Sequence, residues 1–330
     1  MFKRIHALVS LFVSGILIVV MVSACNSNTF TSNTSKKTNS TSTDNCRVIK
    51  HAMGETCVPQ KFERLVTLDS TAFENAIALG IKSIATAFDN SSHLKDEFAQ
   101  VKNIGELGQP NLESTVLLKP DLILGYDAQQ SIYSQLSQIS PTVLFNYEHG
   151  GQWKEMFKKL STALGREKAA KQVMDKYYRR LEDFKQKMGN NPAKIKVSVV
   201  RVYPDSINLY LRDSFCGIVL QDAGLSRPES QDIGISAAKK LYGNENQASI
   251  SNELIEKADG DVIFIWTYGH TPQIDKKAKK KLEELQSNPL WQSLKAVQEN
   301  KVYLVPDYWI GSGILAANAI VDDLFKYLVK

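Results

Sequence analysis

Between residues 166 and 188 the apolar positions recur every three or four residues. They are Ala170, Val173, Tyr177, Leu181, Phe184 and Met188, with Lys168, Lys171, Arg179, Arg180, Asp183 and Lys187 between them. That spacing predicts one apolar stripe on a helix of about six turns, roughly 35 Å long. Gly165 separates it from a preceding amphipathic run, Trp153–Leu164, and Asn190, Asn191 and Pro192 stop it. On either side, short apolar runs alternate with helical patterns. Strands are expected at 64–69, 81–86, 122–126 and 142–145 before the helix, and at 196–203, 207–212, 262–266 and 301–305 after it. A last amphipathic helix covers about 314–328. The pattern predicts an α/β fold of two doubly wound lobes with mostly parallel sheets, residues 46–164 and 191–330, joined by a single long α-helix at 165–190.

The two sides contain matching pieces. Asn111-Leu-Glu113 is followed eight residues later by Asp121 and an apolar strand; Ser251-Asn-Glu253 is followed at the same distance by Asp261 and another. In each unit a capping residue precedes a Glu at the second helical position, and the strand ends in an aromatic, Tyr126 or Trp266. This supports two similarly built lobes. Within the first, Thr71-Ala-Phe-Glu74 has the form of a capping box.

The first 24 residues read as a targeting segment: Lys3 and Arg4, an apolar run, then the small residues Val22-Ser-Ala before Cys25. They place the rest of the chain outside the cytoplasm. Residues 25–45 are mostly Asn, Ser, Thr and Lys and form a flexible tether. These first 45 residues carry four cations against Asp44, a net of +3. The whole chain is +5, so the remainder is only +2. A near-neutral domain gives no electrostatic case for nucleic-acid binding. Cys46 and Cys57 flank a hairpin-like stretch and are expected to form a disulfide in an oxidising compartment, leaving Cys216 free and buried.

Ligands of such sheets sit beyond the carboxyl ends of the strands. In the first lobe those segments are Asp69-Ser-Thr71, Ala87-Phe-Asp89, Asp127-Ala-Gln129 and Asn146-Tyr-Glu148. In the second, Arg201 lies within a buried apolar strand, where it either joins a structural ion pair or faces something anionic in a cleft. Alternation puts Asn208, Tyr210 and Arg212 on one face of the next strand. There is no GxSxG, Walker loop or HExxH, and no Cys/His cluster with zinc spacing. His270 is the only histidine beside the expected cleft.

Several stretches resemble one family. The residues before Cys25 are similar to the lipobox of bacterial lipoproteins, which implies a lipid on Cys25. Pro110-Asn-Leu-Glu113, Leu118-Lys-Pro-Asp-Leu-Ile-Leu124, Asp213-Ser-Phe215, Gly224-Leu-Ser-Arg-Pro228, Asn288-Pro-Leu-Trp291 and Tyr303-Leu-Val-Pro306 resemble the iron-siderophore and cobalamin substrate-binding lipoproteins of bacterial ABC importers. The resemblance implies capture of a ferric siderophore without catalysis, of hydroxamate or citrate-hydroxamate type, and delivery to an ABC permease with its ATPase. The chelator would hold the iron, so no cofactor and no side-chain metal ligand are expected. It further implies an extracytoplasmic, membrane-anchored monomer. Arginines suit metal-bound anionic oxygens, and aromatics suit the organic shell. Arg201, Tyr203, Tyr210, Arg212, Trp266, Tyr268, Tyr308 and Trp309 are the implied ligand-binding residues, with core packing the alternative for either Trp. Glu113 and Glu253 are the implied permease-docking residues.

Two other classes remain open on the sequence. One is a cobalamin or haem binder of the same fold. The other is a secreted α/β enzyme, for which only Asp69, Ser70, Asp89 and His270 could be assembled into a catalytic set.

Overall fold

The computed structural model describes residues 45–329 except Asn90, Leu107, Asn190, Asn191 and His270. The targeting segment, Cys25, all of the tether but Asn45, the expected Asn190–Asn191 stop and His270 therefore lie outside the described residues. No described helix is long and apolar enough to cross a membrane.

The strands in chain order are β1 (Cys46–His51), β2 (Gly54–Pro59), β3 (Leu65–Thr67), β4 (Ser83–Phe88), β5 (Lys102–Glu106), β6 (Gln109–Pro110), β7 (Leu122–Tyr126), β8 (Thr142–Phe145), β9 (Val197–Val202), β10 (Ile207–Tyr210), β11 (Gln247–Ile250), β12 (Val262–Thr267) and β13 (Val302–Leu304). The first lobe holds a sheet in the order β6-β5-β4-β3-β7-β8, parallel except for the short β6. The second holds β11-β10-β9-β12-β13. There β9, β12 and β13 are parallel, while β10 adds antiparallel to β9 through a short turn and β11 adds antiparallel to β10 after a long helical excursion. Parallel strands thus form the centre of both sheets, and the second sheet is mixed.

β1 and β2 form a separate hairpin, tied to β8 by Ala52 N–H donating to the Leu144 carbonyl, 2.8 Å, and the Thr56 hydroxyl to that of Thr142, 2.9 Å. Cys46 and Cys57 are disulfide-bonded diagonally across it, with Cα atoms 5.5 Å apart. Cys216 is free, and burial pushes its thiol pKa up.

The long helix is Glu167–Met188. It buries Ala170, Tyr177, Leu181 and Phe184, and the apolar edge of the stripe, Val173 and Met188, is half-buried. Glycines in the left-handed region close both it and the helix before it: Gly189 at φ 68° and Gly165 at φ 63°. The helix is held from both sides. The Tyr177 hydroxyl donates to Asp222 Oδ2, 2.8 Å, in the second lobe, and Lys154 of the first lobe donates to Asp222 Oδ1, 2.6 Å. Arg180 pairs with Asp322 and donates to Asn318 Oδ1, 2.7 Å, on the final helix Ile314–Leu328.

The inner faces of the two sheets share one apolar core. Leu65, Leu124, Trp153, Tyr177, Val199, Phe215, Phe264 and Ile320 all belong to it. The outer faces have separate cores: Val66, Ile123 and Leu144 in the first lobe, Val200, Ile263 and Trp291 in the second. Strand alternation explains the split, because Val197, Val199 and Arg201 face inward while Val200 and Val202 face outward.

The matching units seen in the sequence have a common backbone frame. β3 pairs with β7 from Leu65↔Leu122, and β9 with β12 from Val197↔Val262. In each unit the aspartate before the second strand clamps the start of the first. Asp121 Oδ2 accepts from Arg64 N–H, 3.0 Å, and Asp261 Oδ2 from Lys196 N–H, 2.9 Å. The helical parts differ. Asn111 caps Leu112–Leu117 by accepting from Ser114 N–H, 2.7 Å. Ser251 makes no such cap, contrary to the expectation, because Asn252–Ala258 is a 3-10 helix kinked at Leu254.

Candidate functional site

The strand ends of the two lobes meet along a polar seam. Helix Ser70–Ala78 follows β3, and its N-cap is Asp69, whose Oδ1 accepts from Ala72 N–H, 2.7 Å. This corrects the expected Thr71–Glu74 capping box. Glu74 is 2% exposed and instead accepts from the backbone N–H of Ala316, 2.7 Å, at the start of the final helix. The four N-terminal N–H groups of a helix lack partners within it, and a carboxylate there is also favoured by the helix dipole. A first-lobe acid therefore caps a second-lobe helix. His93 Nε2 lies 3.2 Å from Glu74 Oε2. Burial opposes charge on His93, but the Glu74 hydrogen bond and charge prevail and raise its pKa. Thr71 with Ser312, and Ser92 with Asp307, complete the seam; Asp307 Oδ2 accepts from Ser92 N–H, 3.0 Å.

Behind the seam the first lobe gathers Asp69, Asn75, Tyr126 and Tyr147. The two tyrosine rings are 5.2 Å apart, and Asn75 Nδ2 is 3.5 Å from the Tyr126 hydroxyl. Asp69 is pushed up to about 7, chiefly by burial; the Ala72 N–H offsets part of this, and the charge of Asp89 adds to it.

The second lobe presents the opposite chemistry. Arg201 stands at the carboxyl end of β9, beside Trp266 on β12 and opposite Asn208 on β10. It is 6% exposed. Its guanidinium lies 4.0 Å from the Tyr203 ring centroid and 5.2 Å from that of Tyr268. Nη1 donates to the Tyr210 hydroxyl, 3.2 Å, and Nε has no partner among the described residues. Arg180 and Arg212 pair with carboxylates; Arg201 joins no ion pair among the described residues. A second buried arginine, Arg227, lies behind this group, donating to the Tyr210 carbonyl and to Gln231 Oε1, both at 2.6 Å. Burial lowers its pKa to about 10. Beyond Tyr268, a cavity of about 490 Å³ opens between Ser92 of the first lobe and Thr267, Pro306 and Asp307 of the second.

The geometry divides the eight residues expected to contact ligand. Arg201, Tyr203, Tyr210, Trp266 and Tyr268 form one group, in which the Tyr203 hydroxyl also donates to Gln247 Oε1, 3.2 Å. Tyr308 and Trp309 form another around Asp323, whose Oδ2 accepts from the Tyr308 hydroxyl, 2.9 Å, and from Trp309 Nε1, 2.8 Å. Trp266 and Trp309 have no exposed surface, which corrects their assignment to the cleft edge. Trp266 follows the inner-face parity of its strand and packs on Tyr210 at 5.0 Å, while Trp309, in the 3-10 turn Asp307–Ile310, stacks on Phe264 at 4.4 Å. Arg212 is engaged by Asp213 and Asp232, at 3.3 and 3.2 Å, so it is not a free cation for a ligand. Glu113 and Glu253 are exposed, on the side of each lobe where its strands begin. The Ser251 hydroxyl hydrogen-bonds the Glu253 carboxylate and holds its pKa below the usual range.

Glu74 and Tyr126 appear in the sequence only as parts of a capping box and a strand end, with no place in the site. Asp69 and Tyr147 did fall in the segments flagged beyond the strand ends, and Arg227 in the Gly224–Pro228 motif, without a role.

Residues 65–309 match a family described as periplasmic binding protein. The chain is 35% identical over 324 residues, 96% of each chain, to the probable siderophore-binding lipoprotein YfiY of Bacillus subtilis. It is 31% identical over 277 residues to the achromobactin-binding periplasmic protein of Dickeya dadantii, covering 80% of this chain and 86% of that one. Among solved structures, Staphylococcus aureus SirA complexed with staphyloferrin B superposes with a TM-score of 0.73 at 28% identity, over 86% of this chain and 98% of that one.

Proposed function

The chain belongs to the periplasmic binding protein family, and from that premise we propose that it captures a ferric siderophore outside the cytoplasm and delivers it to an ABC permease. The observation that carries this reading is Arg201: a buried, permanently charged guanidinium between aromatic rings, with no acid to neutralise it. A buried cation of that kind is costly unless an anion completes it. The iron-bound oxygens of a chelate are such an anion. Tyr203, Tyr210 and Tyr268 supply apolar area and hydroxyls around them. The chelate class we favour is hydroxamate or citrate-hydroxamate. Relatives named for Fe(3+)-citrate and for iron(3+)-hydroxamate support both chemistries. The protein works as a monomer held to the membrane by lipid on Cys25, in keeping with relatives named as lipoproteins. Its task is binding and release, without turnover.

Glu113 and Glu253 dock the two lobes onto the permease. Each is exposed, and the two occupy equivalent places in the repeated frame. A helix-dipole role alone, worth about 0.3–1 kcal/mol, does not explain that repetition.

Tryptophan fluorescence titrated with ferric hydroxamate, citrate-type and catecholate chelates, haem and cobalamin tests the reading. Saturable quenching by an anionic ferric chelate, weakened in Arg201→Ala, is expected. Binding of haem or cobalamin alone, or of nothing, would overturn it.

A further inference from the structure

We infer that each docking face is a two-part surface, an acid flanked by exposed valine or leucine side chains, fitted to a permease loop that carries a basic residue among apolar ones, and that the first lobe bears the stronger half. The inference rests on the docking reading above and adds the apolar component.

The helix Leu112–Leu117 is turned against expectation. It buries Thr115, whose hydroxyl donates to the Asn111 carbonyl, 2.8 Å, and leaves Val116 51% and Leu117 77% exposed. Those two stand three and four residues after Glu113, so all three share one face. Beside them a hollow of about 550 Å³ has Leu112, Val116, Pro120 and Ile139 on its wall, with Lys119, Gln135 and Gln138 at its polar side. In the second lobe Leu254 follows Glu253 and is 40% exposed; Leu290, 48% exposed, is on the short helix packed against Asn252–Ala258. Two of the ten large apolar side chains exposed among the described residues therefore share a face with Glu113, and a third directly follows Glu253.

Grouped exposed apolar side chains mark an interaction surface. The acids select its occupant. An anionic lipid surface would be repelled by Glu113 and Glu253. A second copy docked about a two-fold axis would set each acid-bearing face against its equal. A basic residue on an apolar loop satisfies both components. The faces are unequal in apolar content: the first lobe offers two well-exposed aliphatic side chains at an apolar-edged hollow, the second two half-exposed ones on a lobe whose hollow of about 530 Å³ is lined by charged groups such as Glu256, Lys257 and Lys295.

The test uses the full-length chain in a host deleted for its own copy. Radio-iron is supplied on whichever ferric chelate of the fluorescence panel binds most tightly. Val116→Ser/Leu117→Ser should cut uptake about tenfold, the scale of losing buried anchors at an interface, with chelate affinity and melting temperature unchanged. Leu254→Ser/Leu290→Ser should cut it less. Wild-type uptake by both variants would overturn the inference, and if Glu113→Ala/Glu253→Ala still fails to transport, docking by the acids stands without it. Loss of uptake in the apolar-face variants but not in the glutamate variant would keep the surface and remove the acids from it. Equal losses in the two apolar-face variants would overturn the claim that the lobes differ.

Discussion

The two lobes share a frame and differ where they face each other. At the start of the strands, Asp121 and Asp261 perform the same backbone clamp in the same register. At the strand ends, the first lobe collects carboxylates and tyrosines, Asp69, Glu74, Tyr126 and Tyr147, while the second collects Arg201 and aromatic rings. A backbone clamp and an apolar face constrain only hydrogen bonding and side-chain parity, so one solution serves twice. The strand ends are free of that constraint and take opposite charge. On the proposed function, the second lobe receives the anionic ligand through Arg201, while the first supplies the Glu74 cap of the seam.

The largest expected effect sharpens the acidic side of this contrast. Asp69 has its pKa pushed from 3.8 to about 7, so the folded state holds the proton more tightly than the unfolded one. Its contribution to stability is full below about pH 4 and is lost as pH rises through about 7. Asp69→Asn keeps an acceptor for Ala72 N–H and removes that loss. Urea unfolding should show the variant more stable than wild type by about 1–4 kcal/mol at pH 8 and similar to it at pH 4. A constant difference at both pH values would remove Asp69 from the contrast.

The disulfide-closed hairpin exists only in the first lobe. Cys46→Ser/Cys57→Ser should lower stability by up to about 3 kcal/mol, as loop-closure entropy predicts for a loop of this size. The change is read by denaturant midpoint. An unchanged midpoint would show that the hairpin contributes nothing to the lobe it covers.

On the basic side, Arg201→Ala should weaken binding of an anionic ferric chelate by about 1.5–3 kcal/mol, the scale of a hydrogen bond to a charged group. Trp309→Phe should instead cost about 1 kcal/mol of stability through the lost hydrogen bond to Asp323 and leave affinity unchanged. Affinity loss in the Trp309 variant and not in the Arg201 variant would invert the assignment. The smallest expected effect is on shape: scattering with and without ligand should give nearly equal radii of gyration, because a helix and a capped seam join the lobes at two places. A clear ligand-induced contraction would show a hinge.

Periodicity made the frame legible. The stripe from Ala170 to Met188, the strands and the final helix could all be read because each depends on local spacing. The site was less so. Glu74 has capping-box spacing after Thr71, yet its partner is 242 residues away. Nothing in the neighbouring sequence reports a partner at that distance. Trp266 and Trp309 were drawn to the cleft by their place at strand ends, whereas face parity sends Trp266 into the core and the stack on Phe264 with the Asp323 hydrogen bond holds Trp309 there. Arg201 could be flagged as anomalous, but only the tertiary structure shows that its neighbours are rings and not acids.

The Glu74 contact has a mechanical consequence. Its carboxylate, on the first lobe, holds the first turn of the final helix in the second, so parting the lobes must break that contact. On the proposed function, capture that leaves this contact in place puts little of the chelate's binding free energy into moving protein. Release carries the opposite requirement. On the docking reading proposed above, a transporter that grips one face of each lobe is placed to apply the work of parting them as torque across the seam.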